Sequence, residues 1–361
     1  MIYLIFLALS CTYLYTLNKY ANTSYSKFVV YIIPLILFWC LLIGGQYNVG
    51  TDYFSYMAMF CKGGDISYVS ENRGEIVFSG VVNCLKYFGI TGQGIFIVIS
   101  LIEILLLSYI MYDCVGSKYA YLFLFVFIVF PGILHNQMNG IRQYIVVYLI
   151  TMSVCCLLHK QYIKTLILFI ISPLIHQSAI FVIPLILLIY KFAYLFNKKK
   201  WLYLIVVIGL ILSFVITPEH SGMIFEISET YEHYTNSELM AQHTLLQKLP
   251  KYIYFPLILL TIHKSTSIQQ ICNNKLNYRL FLIGIIGYSL KTATISVGLL
   301  SRIGQYFDII SCIPIIWLLI YLKPHKKVYM YIIMIYLLIP YAAKVLVSTE
   351  GEYSYDFFLL H

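Results

Sequence analysis

The chain has 361 residues, of which 61% are apolar and 11% charged, with a mean hydropathy of +0.83 and a formal net charge of +9. A soluble domain carries about 25% charged residues, so this composition excludes one and specifies a polytopic membrane protein. The nine cysteines are scattered and form no CxxC pair, so neither a disulfide framework nor a structural zinc site is suggested; they read as free thiols, with Cys61 and Cys84 in one outer loop as the one pair that could join.

In chain order, twelve apolar runs are read as candidate spans. They cover about 1–17, 28–46, 95–113, 118–135, 141–158, 162–175, 177–191, 201–217, 247–263, 278–296, 302–322 and 328–347. A helix needs roughly 20 residues to cross the hydrocarbon core, or about 17 if short. The sixth and seventh runs fall below that length and join through SPLIHQS, which predicts a broken or re-entrant pair. The first run lacks a basic leader and an A-x-A site and reads as an uncleaved helix. The expected fold is an all-α bundle of about twelve transmembrane helices, one transmembrane domain over 1–361, with long outer loops near 47–94 and 218–246.

Lys and Arg mark the cytoplasmic side of short loops. They fill alternate connections: Lys19 and Lys27, Lys118, Lys160 and Lys164, Lys191 with Lys198 to Lys200, Lys264 with Arg279, and Lys323 to Lys327. The acids collect in the other set, including Asp52, Asp65, Glu71 and Glu75 in the first long loop and Glu219 to Glu238 in the second. Both termini are then expected outside. The positive charge is a topology signal, and no basic patch points to nucleic acid.

Polar residues on the side opposite the lysines carry the functional reading. The stretch HNQMNGIRQY, from His135 to Tyr144, is a polar cluster between two apolar runs. An unpaired Arg142 there costs on the order of 2.5 to 3.5 kcal/mol on insertion scales, a cost that a cavity-facing role in binding phosphate would justify. In NVGTDYFSY, Asp52 and Tyr56 stand at i and i+4, and Asp52 reads either as a helix N-cap or as a base or arginine partner. In ENRGEIVFSG, Arg73 and Glu75 precede an amphipathic run, either as a surface ion pair or as site residues. His135 and His176 are either proton-exchanging groups or packing residues. Within the spans, Glu103 reads as a structurally partnered or protonated acid, and Asp308 follows SRIGQYF. In that motif Arg302, Gln305 and Tyr306 fall at i, i+3 and i+4, which predicts one helical face with a guanidinium, an amide and a phenol. Glu229 and His233 share helical spacing, but no HExxH, DxD or Cys/His cluster supports a metal, and an acidic aromatic lid is the preferred reading.

Taken together, GTDYFSY, RGE, NGIRQY, IHQSA and SRIGQYF, in that order over most of the chain, resemble the EpsG-like family of bacterial polysaccharide polymerases, akin to Wzy-type O-antigen polymerases. With paired arginines on a diphosphate and no DxD motif, no metal is required, and no cofactor is expected. The resemblance implies a glycosyltransferase-type polymerase in the bacterial inner membrane. It would join undecaprenyl-diphosphate-linked oligosaccharides, donor to acceptor, at the periplasmic or outer face, alongside a chain-length regulator and a flippase. O antigen, capsule and exopolysaccharide stay open as products. The matching positions are Asp52, Glu75, Arg142, His176, Arg302 and Tyr306. Arg142 and Arg302 suit diphosphate binding, with Gln143, Gln305, Tyr306, Arg73 and His135 beside them, and His176, Asp52 and Glu75 are the candidates for the base. The rival readings are an O-antigen ligase, a glycosyltransferase using a polyprenyl-phosphate sugar, and a flippase of lipid-linked oligosaccharide. A flippase would be expected to show two related halves, and no internal repeat is visible.

Overall fold

The computed structural model describes residues 1–20, 23–130, 132–218, 242–272, 275–347 and 353–361. The protein is an all-α membrane protein. Among the described residues, four helices, Gln93–Val129, Ile141–Leu158, Ala179–Phe196 and Lys327–Val347, are long and apolar enough to cross a bilayer, or up to five spans if a bent pair counts as one. The candidate lid residues Glu229 and His233, with the rest of 219–241, lie outside the described residues.

Two compact units are present, the first made of Met1–Cys155, Leu166–Gln177 and Ile332–His361, the second of Cys156–Thr165 and Ser178–Tyr331. Unit 1 begins with α1 (Ile2–Leu17), α2 (Tyr25–Tyr31) and α3 (Ile33–Ile43). In α1 the buried residues Tyr3, Phe6, Leu7, Ser10 and Leu14 recur at helical spacing, so one stripe packs inward while Leu9 and Tyr15 stay exposed, as a lipid-facing side should. The run expected at 28–46 is bent by 59° between α2 and α3. Pro34 explains the bend, since it has no N–H to give and its ring crowds the preceding turn. Three short helices follow within the loop expected at 47–94: α4 (Tyr53–Phe60), α5 (Ser67–Glu71) and α6 (Ile76–Tyr87).

The long α7 (Gln93–Val129) packs against α1 and α3. A straight helix of 37 residues would run about 55 Å, well beyond a hydrocarbon core of about 30 Å. Gly116 interrupts it with φ 68° and ψ 173°, a conformation open to glycine and strained for other residues. The break falls between the expected runs 95–113 and 118–135. After it come α8 (Ile133–Asn139), α9 (Ile141–Leu158) and α10 (Tyr162–Ile175).

Unit 2 contains α11 (Ala179–Phe192), α12 (Lys199–Val215), α13 (Leu245–Tyr252), α14 (Phe255–His263), α15 (Ser265–Ile271), α16 (Lys275–Ala293), α17 (Gly298–Gln305) and α18 (Asp308–His325). At its centre α16 packs against both α12 and α18. Gly209 of α12 lies so close to Ser289 of α16 that a Cβ would not fit, the small-residue contact by which membrane helices approach. Two expected runs are divided here. The run 247–263 breaks between α13 and α14 ahead of Pro256, and 302–322 breaks at Tyr306 and Phe307, which places Arg302 on the short α17.

The last helix, α19 (Lys327–Val347), leads back into unit 1. There β1 (Gln46–Tyr47) pairs antiparallel with β2 (Asp356–Phe357), His361 stacks on Tyr47 at 4.0 Å, and the Tyr355 hydroxyl donates to the Leu42 carbonyl. The C-terminal tail is thereby fastened beside the start of the 47–94 segment.

Candidate active site

In unit 1 three sequence signals converge on one carboxylate. Asn139 ends α8, and Gly140 separates it from α9, so Arg142 stands in the first turn of α9. A helix N-terminus carries the positive end of the dipole, and a cation there needs an anion close by. Glu75, at the N-terminal end of α6, supplies it. Its side chain is 1% exposed and its Oε2 accepts from Arg142 Nη1, while Arg142 Nε donates to the Tyr56 hydroxyl at 3.3 Å. The guanidinium carbon also lies 5.7 Å from the Tyr56 ring and 5.8 Å from the Phe78 ring, so two aromatic faces flank the charge.

The other carboxylate oxygen serves the break between α10 and α11. Glu75 Oε1 is 2.9 Å from His176 Nδ1 and accepts from the Gln177 backbone N–H at 3.3 Å. Burial alone raises the Glu75 pKa, but the His176 hydrogen bond, the charges of His176 and Arg142 and the Gln177 N–H together hold it below the usual carboxylate value. An ionised carboxylate can only accept, so Nδ1 of His176 carries the hydrogen in this contact. Arg142 is 12% exposed and His176 15%, so both retain access from outside the carboxylate's pocket. Arg142 Nη2 makes no hydrogen bond among the described residues.

Asp52 takes up its N-cap position at the start of α4 without a side-chain capping bond. Its backbone N–H donates to Asn139 Oδ1 at 2.9 Å, and its carboxylate accepts from Thr51 Oγ1 at 3.3 Å. Gly50 fits against the Asn139 side chain, where a Cβ would collide. The GTD turn is thus fixed to the chain just before Arg142.

Beside this group runs an entirely apolar cavity of about 190 Å³, lined by Val77, Phe78, Val81, Ile145, Leu149 and Ile175 among others. Phe78 faces both the cavity and Arg142, Ile145 lies one turn beyond Arg142, and Ile175 precedes His176. The apolar cavity is thus bordered by residues next to Arg142 and His176.

The remaining candidates are placed differently. Gln143 is buried beside Arg142 in sequence, and Arg73 lies over the Tyr68 ring at 5.5 Å. His135 is 1% exposed, stacked on Tyr353 at 4.0 Å, edge-on to Tyr3 at 4.5 Å and 3.3 Å from the Tyr341 hydroxyl, the environment of a packing residue. In unit 2 the expected common face of SRIGQYF divides: Arg302 is exposed, Gln305 half-buried, and Tyr306 lies past the helix end, fully buried, with its hydroxyl 2.7 Å from Ser178 Oγ. Glu103 is buried, and its Oε1 has no hydrogen-bond partner among the described residues.

Three participants escaped the sequence reading. Phe78 is signalled only by standing three residues after Glu75, on the same face of α6. The Gln177 N–H has no sequence signal at all. Lys291, which pairs with the fully buried Asp308, is an intramembrane lysine and could have been flagged as such. Among the described residues, no three His, Cys, Asp or Glu side chains come together as a metal site.

Residues 29–358 match the model of the EpsG family, nearly the whole chain and every motif named above. The chain belongs to the EpsG family. No curated protein and no solved structure gives a match. Membership in the EpsG family supports a polysaccharide polymerase-like, glycosyltransferase-type function in general.

Proposed function

We propose that this EpsG-family protein polymerises oligosaccharide repeats carried on undecaprenyl diphosphate, with the Arg142, Glu75 and His176 group as its reacting centre. The observation that carries this reading is the arginine and imidazole sharing one buried carboxylate, with an apolar cavity lined by neighbouring residues. An apolar cavity suits part of a prenyl chain, and the guanidinium suits a diphosphate.

In the reaction, a hydroxyl oxygen of the acceptor repeat bonds to the anomeric carbon of the donor chain. The bond from that carbon to the diphosphate oxygen breaks, and the lipid diphosphate leaves with the electron pair. His176 Nε2 takes the hydroxyl proton. Arg142 donates to the leaving diphosphate, whose charge grows as the bond breaks. Glu75 holds the imidazole in the tautomer that leaves Nε2 basic and keeps the guanidinium in place, which makes it a positioning residue. Asp52 fixes the loop beside Arg142, and Arg302 with Gln305 remains a second candidate for phosphate or sugar binding.

The lysine pattern supports an arrangement of about twelve crossings in the inner membrane with this centre on the outer face. Deleting the gene is expected to leave single lipid-linked repeats in place of long chains. Arg142→Ala, expressed at the normal level, is expected to do the same, since loss of one preorganised donor commonly costs on the order of 100 to 1000 fold in rate. Long polymer in the deletion strain would rule out the reading, and full-length polymer from Arg142→Ala would remove the centre. Arg302→Ala, measured in the same assay, reads whether the second group shares the step.

A further inference from the structure

Unit 2 holds another arginine in a cavity of its own. The space is about 580 Å³ and is lined by Arg279 with Tyr194, Asn197, Gln269, Tyr278 and Leu282, among others. It is formed by the chain leaving α11, by α15 and by the first turns of α16. The Arg279 guanidinium carbon lies 3.9 Å from the centre of the Tyr190 ring, and Nη2 donates to the Tyr190 carbonyl. Neither contact supplies a countercharge. Nε is buried and has no hydrogen-bond partner among the described residues.

Arg279 as a whole is half-buried, but a buried N–H with no acceptor is costly unless something answers it. Among the described residues of unit 2 the one acidic side chain is Asp308, and that is paired with Lys291. The described side chains of the unit therefore leave the Arg279 cavity open to an anion. The wall gives its chemistry: two amides, Asn197 and Gln269, stand near the cation as neutral donors, and Leu282 with the tyrosine rings supplies an apolar side. Directly after Asn197 come Lys198, Lys199, Lys200 and Trp201, with Lys200 over the Trp201 ring at 5.3 Å and Lys199 donating to the His263 carbonyl at 2.7 Å. A basic cluster with tryptophan at the ends of apolar helices belongs at the headgroup level of a bilayer with anionic lipids.

We propose that this cavity binds the phosphate of an anionic membrane phospholipid, with Arg279 as the charged ligand and the Asn197 and Gln269 amides as neutral ones. The site is separate from the Arg142 group and does not rest on the polymerase reading.

The test uses the full chain purified in neutral detergent. Phosphatidylglycerol, phosphatidylcholine and inorganic phosphate are titrated separately, with native mass spectrometry counting retained lipid and thermal unfolding reading stabilisation. Phosphatidylglycerol is expected to be retained and to raise the unfolding midpoint, and phosphatidylcholine to do neither. Arg279→Gln is expected to weaken phosphatidylglycerol binding about 10 to 100 fold, the size of one lost charge-assisted bond. Unchanged affinity in that variant overturns the proposal. Stabilisation by inorganic phosphate without retention of phosphatidylglycerol also overturns it, by assigning the site to a free anion. Should Arg279→Gln fail to fold, Asn197→Ala and Gln269→Ala carry the measurement: weaker binding in both sustains the site, and unchanged binding in both removes it.

Discussion

The two units each bury a carboxylate against a cation, and they do so to different ends. In unit 1, Glu75 is shared between Arg142 and His176, both partly exposed, and an apolar cavity is lined by the neighbouring Phe78, Ile145 and Ile175. In unit 2, Asp308 is 0% exposed at the start of α18 and pairs with Lys291 of α16, the helix packed at the centre of the unit. A carboxylate that holds a basic nitrogen at an accessible position prepares a reaction. One wholly enclosed between central helices ties those helices together, and its worth lies in the penalty for breaking it.

The comparison is broken most sharply by exchanging the two kinds of damage. His176→Gln, at normal protein level, is expected to lower polymer formation by about 10² to 10⁴ fold, the usual contribution of a positioned base. Near-normal chain synthesis by that variant would move the base elsewhere, with Asp52 next to be tested. Asp308→Asn is expected to leave Lys291 without its countercharge and to cost about 3 to 5 kcal/mol of stability, seen as a lower unfolding midpoint in detergent. Activity per folded molecule should survive; if it collapses while the midpoint holds, the unit 2 pair is functional and the contrast fails. The smallest effect is set by pH. The folded-state pKa of Glu75 lies below its ordinary value of 4.5, so the unfolded chain takes up the proton first as pH falls. The stability this group contributes is therefore complete above about 4.5 and disappears as pH drops through the lowered value. Wild type and Glu75→Gln are expected to show a constant difference in midpoint from pH 6 to 8 and a shrinking one below about 4.5. A difference that grows with acidity would contradict the ion pairing.

Much of the unit 1 centre was legible before any coordinates, because charged and amide residues stand out against an apolar chain. Arg142, Glu75, His176 and Asp52 all stood out in that way, as did the helix break at His176. Their convergence was not legible: Glu75 and Arg142 are 67 positions apart, and no local pattern says which acid meets which base. The sharing of Glu75 also came only from geometry, since one of its oxygens meets Arg142 and the other His176 Nδ1. The reading of SRIGQYF failed at a single point. Helical spacing assumes a helix that continues, and α17 stops at Gln305, so Tyr306 turns inward to Ser178 while Arg302 stays exposed. Hydropathy likewise located 247–263 as apolar without revealing its division before Pro256.

The pairing of β1 with β2 has a consequence for synthesis. Unit 1 is begun first, yet it is finished last, because residues 332–361 must arrive before the tail can reach Gln46 and Tyr47. Residues 178–331 of unit 2 are made entirely within that interval. The β1–β2 pairing in the unit that bears Arg142 can therefore form only after residues 178–331 of unit 2 have been synthesised.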